Sequence, residues 1–289
     1  MKLSHILFSI YVFLIHIACQ SNQEVVSPPQ YDFKKPTTFK MPQVLDEISG
    51  ITFATDRYDM LYTVQDESGL LYKYELENGE AKPFKFAKRG DYEDIAITDN
   101  QVIVLKSNGA LLTFPLSDVD DDKPIKAEEL KDVLPKGEYE GMFMDNVQRN
   151  LFVLCKNCNG DKEAKKTSGY ILTIEANGEI RQSGQFSINM NDVEKLAKVD
   201  KINFQPSALA KSKATDEWYI LSSANNAFVV TDAAWAVKAV YPLPPSIFRQ
   251  PEGIAFDNEN NLYISNEKAT GINGNILKFL YIKILKYFH

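Results

Sequence analysis

Five short apolar runs carry the clearest signal in the chain. They are Leu61-Tyr62-Thr63-Val64, Val102-Ile103-Val104-Leu105, Leu151-Phe152-Val153-Leu154, Trp218-Tyr219-Ile220-Leu221 and Leu262-Tyr263-Ile264-Ser265. Around each, apolar residues recur with period two in short segments bounded by Gly, Asn and Asp, which predicts strands joined by turns. β-branched and aromatic residues fill these segments and no 3.6-residue period runs through them, so a solenoid of helices is excluded.

Each run belongs to a longer repeat. The repeats open at "LDEISGITFA", "DYEDIAITDN", "EYEGMFMDN", "QPSALAKSK" and "QPEGIAFDN". Their key positions are Glu47, Glu93, Glu140, Ser207 and Glu252, spaced 46, 47, 67 and 45 residues apart. Strand-turn-strand units recurring at such a period define a β-propeller with one four-stranded antiparallel blade per repeat. Five copies predict five blades; six is the alternative count. The segment after Gly274 supplies a strand to the last blade. "YDFKKPTTFKMP", from Tyr31 to Pro42, supplies its outer strand, closing the ring between the termini and removing free sheet edges. The long interval holds "NGDKEAKKTSG", read as a polar loop, and "NMNDVEKLAKVDKI", read as a short helix capped by Asn191. Asp120-Asp121-Asp122 reads as solvated loop. The closing "FLYIKILKYFH" is apolar and basic, unlike an ordinary strand end.

The start of the chain reads as a targeting segment. Lys2 precedes the apolar stretch Ile6–Cys19, too short for a comfortable membrane span. Ile17-Ala18-Cys19 resembles a bacterial lipobox, although His16 stands where an aliphatic residue is usual. Residues 1–18 are therefore expected to be a lipoprotein-type signal peptide, with Cys19 lipidated, residues 19–30 a tether, and residues 31–289 a single propeller domain. An ordinary secretory signal with an incidental cysteine is the alternative. The expected location is the bacterial cell envelope, with the membrane as partner through the lipid anchor. The remaining cysteines, Cys155 and Cys158, lack the further ligands a zinc site needs, so a local disulfide is expected, with two free thiols as the alternative. A formal charge of −7 without a basic cluster argues against nucleic acid as a partner.

The chemistry concentrates at the repeat openings. In a propeller the first strand of each blade lines the central channel, so Glu47, Glu93, Glu140 and Glu252 should converge at one mouth. Clustered carboxylates repel unless a cation compensates, and hard oxygen donors suit Ca²⁺. The loops on that face add Asp66, Glu67, Asn266 and Glu267 as candidate ligands, with Ser107, Asn108 and Asn225 nearby. The bland alternative is that these residues cap backbone amides or face water. Gly50, Gly141 and Gly253 are expected to let the inner strands approach closely, and Tyr92 and Tyr139 to serve packing.

The motifs "LDEISGI", "VQDESGLLYKYEL", "GDYEDIAI", "YEGM", "PSALA" and "PEGIAFDNENNLYISNE" resemble those of the SdiA-regulated family of bacterial propellers, distantly similar to NHL-repeat proteins. The likeness covers about Tyr31 to Phe279. It implies a five-bladed propeller, a calcium site and an envelope location, without a defined activity. Ser207 departs from the glutamate pattern, which leaves one potential ligand neutral.

Two functions follow. The first is a monomeric calcium-binding module or scaffold of the envelope that holds a small molecule or protein. The second is a calcium-dependent hydrolase of lactonase or phosphoesterase type, with a channel carboxylate as base. The histidines are His5, His16 and His289, and no G-x-S-x-G occurs, so the usual general base and serine nucleophile are missing from the body of the chain. Lys106, Lys156 and Lys268, each following a second strand, are the only hint that anions could be held at this mouth.

Overall fold

The computed structural model describes residues 25–121 and 123–284. The expected signal peptide and Cys19 lie outside the described residues. Within them the chain forms five four-stranded antiparallel sheets. From the innermost strand outward, blade 1 is Ile48–Ala54, Arg57–Gln65, Leu70–Glu75 and Ala81–Lys85. Blade 2 is Tyr92–Ile97, Gln101–Lys106, Leu111–Pro115 and Glu128–Leu130. Blade 3 is Gly137–Asp145, Asn150–Cys158, Lys166–Ile174 and Ile180–Asn189; blade 4 is Ala208–Lys211, Trp218–Ser222, Ala227–Thr231 and Val237–Pro242. Blade 5 takes Pro251–Phe256, Leu262–Asn266 and Asn275–Phe279 from the end of the chain, and its outer strand Thr37–Lys40 from the beginning.

Period two follows directly from this architecture. Successive residues of a strand face opposite sides of the sheet, and in a propeller both sides are covered by a neighbouring blade. Tyr62 and Val64 meet Val102 and Val104 between blades 1 and 2, whereas Ile103 and Leu105 meet Leu151 and Val153 between blades 2 and 3. Phe152 and Leu154 then pack with Trp218 and Ile220, Tyr219 and Leu221 with Leu262 and Ile264, and Tyr263 returns to Leu61. Five apolar interfaces thus replace one central core.

The closing strand pairs Thr37–Lys40 with Asn275–Lys278. It is preceded by two aromatic anchors, Tyr31 and Phe33, buried between blades 4 and 5. The Phe33 ring lies 5.4 Å from Phe228 and 5.0 Å from both Phe248 and Phe279. The folded body begins before Tyr31: Ser27 Oγ accepts the amide of Phe33, and the Gln30 carbonyl accepts that of Ile282. Residues 25–30, the described part of the expected tether, therefore rest on the body.

Three local expectations are corrected. The helix after blade 3 spans Met190–Ala197, and its cap is Asn189, whose side chain accepts the Asn191 amide. The expected polar loop contains a turn of helix, Asp161–Ala164, and gives way at Lys166 to the third strand of blade 3. Asp120 ends the short helix Leu116–Asp120 and pairs with Arg57 and Lys73, each at 2.8 Å, so it ties blade 2 to blade 1.

Close approach of the inner strands depends on small residues. A Cβ on Gly50 would lie 1.8 Å from Asp94 Oδ1, so the Asp94 carboxylate occupies the space of the side chain that Gly50 lacks. Asp94 is buried, and its oxygens accept the amides of Ile95 at 2.7 Å and of Met142, in blade 3, at 2.6 Å. One carboxylate thereby joins blades 1, 2 and 3. Burial pushes its pKa well above the usual carboxylate range, against the pull of the two amides. Asp94→Ala leaves both amides without a partner and opens a cavity, and is expected to cost about 3 kcal/mol. Chemical denaturation checks this; Gly50→Ala should destabilise as well, and should do so less in the Asp94→Ala background.

Candidate metal centre

The opening glutamates owe their position to a recurring bulge. In blade 2, Tyr92 pairs with Lys106 and Asp94 with Leu105, so Glu93 is the extra residue on the inner strand. In blade 3, Tyr139 pairs with Cys155 and Gly141 with Leu154, leaving Glu140 extra; in blade 5, Pro251 pairs with Asn266 and Gly253 with Ser265, leaving Glu252 extra. A bulged residue leaves the ladder and re-aims its side chain, which is why bulges accumulate beside functional sites.

The same register corrects the reading of blade 1. Ile51 pairs with Thr63 as Ile95 does with Val104, so the counterpart of Glu93 is Ser49, and Glu47 precedes the strand. The bulged layer is Ser49, Glu93, Glu140, Ser207 and Glu252: three carboxylates and two serines in place of the expected four glutamates. Ser207 Oγ donates to the Pro251 carbonyl at 2.8 Å, knitting blade 4 to blade 5.

The candidate ligands divide into two groups at this mouth. Glu93 and Glu140 share one side with Lys156, whose ammonium donates to Glu140. Burial works against the charge of Lys156, but the hydrogen bond and attraction of Glu140, with Glu138 and Glu93 beyond, hold its pKa above the ordinary value. Lys156 lies within the Cys155–Cys158 disulfide loop, whose Cα atoms are 6.0 Å apart. That bridge packs on Gly137, where a Cβ would fall 2.6 Å from Cys158 Sγ.

On the other side, Glu47, Asp66 and Glu267 bring one carboxylate oxygen each within 4.8 Å of one another. Asp66 and Glu267 are half-buried and Glu47 is exposed. Asp66 Oδ1, within this group, is buried without a hydrogen-bond donor, as are Asp46 Oδ1 and Asn266 Oδ1 on the sequence neighbours of Glu47 and Glu267. Asn266 is fully buried, its amide nitrogen bound to Asn275 Oδ1 at 2.8 Å while its own Oδ1 is left over. Glu67 turns outward and pairs with Arg89.

The remaining loop candidates are engaged elsewhere. Asn108 Oδ1 accepts the Ala110 amide, Asn225 Oδ1 accepts the Gln205 amide and the Ser222 hydroxyl, and Ser107 donates to Asp91. Lys106 pairs with Glu129 at 3.0 Å and Lys268 with Asp46 at 3.2 Å. With Lys156 on Glu140, each of the three lysines that hinted at an anion site already has a carboxylate.

Burial and mutual repulsion raise the proton affinity of Glu93, Glu140, Glu252, Asp66 and Glu267. Glu93 is pushed up to about 9, by burial first and then by Glu140 and Asp91. Glu267 is pushed up to about 8 by burial, then Glu252, Asp66 and Glu47. Glu252 rises to about 7 by burial and Glu140, while burial also raises Asp66 and Glu140. Two features of this mouth escape the motif reading. Asp94 looks like a fifth ring acid yet is structural, and Lys156, expected as a hold for an outside anion, is already taken by Glu140.

A family model described as SdiA-regulated matches residues 24–270, and the chain belongs to that family. No curated protein matches the chain. Solved structures share the fold at low identity. The glutaminyl cyclase of Myxococcus xanthus superposes with a TM-score of 0.57 at 12% identity, over 86% of this chain and 96% of its own. Regucalcin of Agrobacterium tumefaciens, a calcium-binding protein, gives 0.52 at 12% over 87% and 94%, and a glucose dehydrogenase gives 0.52 at 14% over 84% and 99%.

These shifts fix a pH dependence. A carboxyl whose folded pKa is raised keeps its proton where the unfolded chain has lost it, so its contribution to stability is complete below the unfolded value near 4.5 and declines as pH climbs to the folded value. In chelator, the melting temperature should therefore fall steadily between about pH 5 and pH 9. Glu93→Gln and Glu267→Gln should flatten that decline; a wild-type protein that gains stability across this window would contradict the assignment.

Proposed function

We propose that the acidic mouth holds a divalent cation, Ca²⁺ by the chemistry of its donors, and that the protein is a calcium-binding propeller module. The observation that carries this reading is the Glu47, Asp66 and Glu267 group with its donorless buried oxygens. A buried acceptor lacking a donor costs on the order of 1–3 kcal/mol, and a cation shared by the three carboxylates would satisfy Asp66 Oδ1. All-oxygen donors, carboxylate and amide together, fit Ca²⁺ better than a softer metal. Lys156 offsets one charge on the Glu93 and Glu140 side, whereas among the described residues no lysine or arginine pairs with Glu47, Asp66 or Glu267.

Restoring Ca²⁺ to chelator-treated protein should raise the melting temperature, and more at pH 8 than at pH 5, since protons compete for the same oxygens. The shift should vanish in the Asp66→Asn, Glu267→Gln double variant and persist in Glu93→Gln. Wild type without a shift, or a shift indifferent to the double variant, would overturn the site.

A second reading, a calcium-dependent hydrolase, draws on the proton-holding Glu93 beside the Glu140–Lys156 pair, a candidate acid–base group near the proposed ion. Calcium-dependent turnover of simple lactones or phosphoesters, lost in Glu93→Gln, would move the assignment there.

For location, the reading rests on the sequence: Lys2, the apolar Ile6–Cys19 segment and Ile17-Ala18-Cys19 support export and acylation of Cys19. Mass spectrometry of the protein from a membrane fraction should find an acylated N-terminal Cys19. An unmodified N-terminus at another residue would refute the anchor.

A further inference from the structure

The two mouths of the channel differ in chemistry. Away from the carboxylates, the inner strands end around a cavity of about 640 Å³, a size that suits a small organic ligand. Its floor is a ring of register-matched residues, Ile51, Ile95, Met142, Leu209 and Ile254, all buried and all apolar. Two positions further along the same strands stand Phe53, Ile97, Met144, Lys211 and Phe256. Four are apolar, and the fifth is a lysine contributed by blade 4.

Lys211 is 22% exposed, with its ammonium 5.5 Å from the Trp218 ring centroid and 2.5 Å from Asp216 Oδ1. Asp216 is 71% exposed, on a turn with φ of 58°. A pair with one partner so exposed contributes little, and an incoming anion can replace it. The rim carries other acids, and they are engaged in its turns. Asp145 Oδ1 accepts the amides of Val147 and Gln148. Asp257 accepts two amides, the Asn261 side chain and the Tyr263 hydroxyl, and Asp99 accepts the Thr55 hydroxyl. Lys213, exposed on the same turn as Asp216, adds a second positive charge beside Lys211.

We propose that this second mouth binds a small amphipathic carboxylic acid, its apolar body against the two rings and its carboxylate on Lys211 in place of Asp216. The site goes beyond the metal reading and shares no residue with the acidic cluster. Within the cavity an unbranched chain or flat ring system is accommodated by the Ile and Phe walls. Lys211 selects acids over alcohols and amines, because only a carboxylate can replace the charge of Asp216 on its ammonium.

The test is isothermal titration of the protein with decanoate below its micelle concentration, with decanol and decylammonium as comparators. One site should appear, with decanoate about tenfold or more tighter than decylammonium. Lys211→Met should weaken decanoate by a similar factor, while Asp216→Ala, which frees the lysine, should strengthen it. Glu77→Gln, exposed on an outer turn of blade 1, should leave binding unchanged. Absence of decanoate binding, equal binding of decylammonium, or an Asp216→Ala variant no tighter than wild type would overturn the proposal. The last comparison holds even where Lys211→Met fails to fold.

Discussion

The buried carboxylate of Asp94 is the contact on which this propeller's axis depends. It fills the space beside Gly50 in blade 1 and accepts the Met142 amide from blade 3, while belonging to blade 2 itself. A propeller has no single core, so its inner strands are held in place only by what passes between blades. A buried acceptor bridging three of them fixes the spacing at which the bulged glutamates emerge. It also explains the small residues around it, since a side chain on Gly50 and the Asp94 carboxylate cannot share that space.

The channel that results has opposite ends. At the strand starts, carboxylates crowd together and rise in proton affinity; at the strand ends, apolar rings that include Lys211 line a cavity with a charged rim. Lys156 supplies part of the missing charge from within, pinned in the short loop closed by Cys155–Cys158. What it leaves uncompensated is the side where Asp66 and Glu267 sit with unsatisfied oxygens near them. Blade 4 departs at both ends: Ser207 stands where three blades carry glutamate, as Ser49 does in blade 1, and Lys211 stands where the other four blades are apolar.

Much of this was legible in the sequence. Alternation in runs such as Trp218–Leu221 registers strands covered on both sides, and the repeat period gives one blade each. The closing strand was visible because Tyr31–Pro42 lay outside the repeats while the last blade lacked an edge. What misled was the bulge. An inserted residue shifts side-chain register without altering motif spacing by a noticeable amount, so Glu47 aligned with Glu93 by eye although Ser49 occupies that place. Partnership is equally hidden in one dimension. Nothing adjacent in sequence says that Asp94 answers a glycine 44 residues earlier, or that Lys156 neutralises Glu140. Asp120 was read as solvent-facing for the same reason, its two cationic partners lying a blade away.

The most direct test of the account is a crystal structure of the protein grown with Ca²⁺. The account predicts one ion coordinated by Asp66 and Glu267, with Glu47 completing the carboxylate set, at oxygen distances of about 2.3–2.6 Å. Lys156 should remain on Glu140. Density for water alone among those three residues at saturating calcium, with Asp66 and Asn266 satisfied by it, would contradict the account.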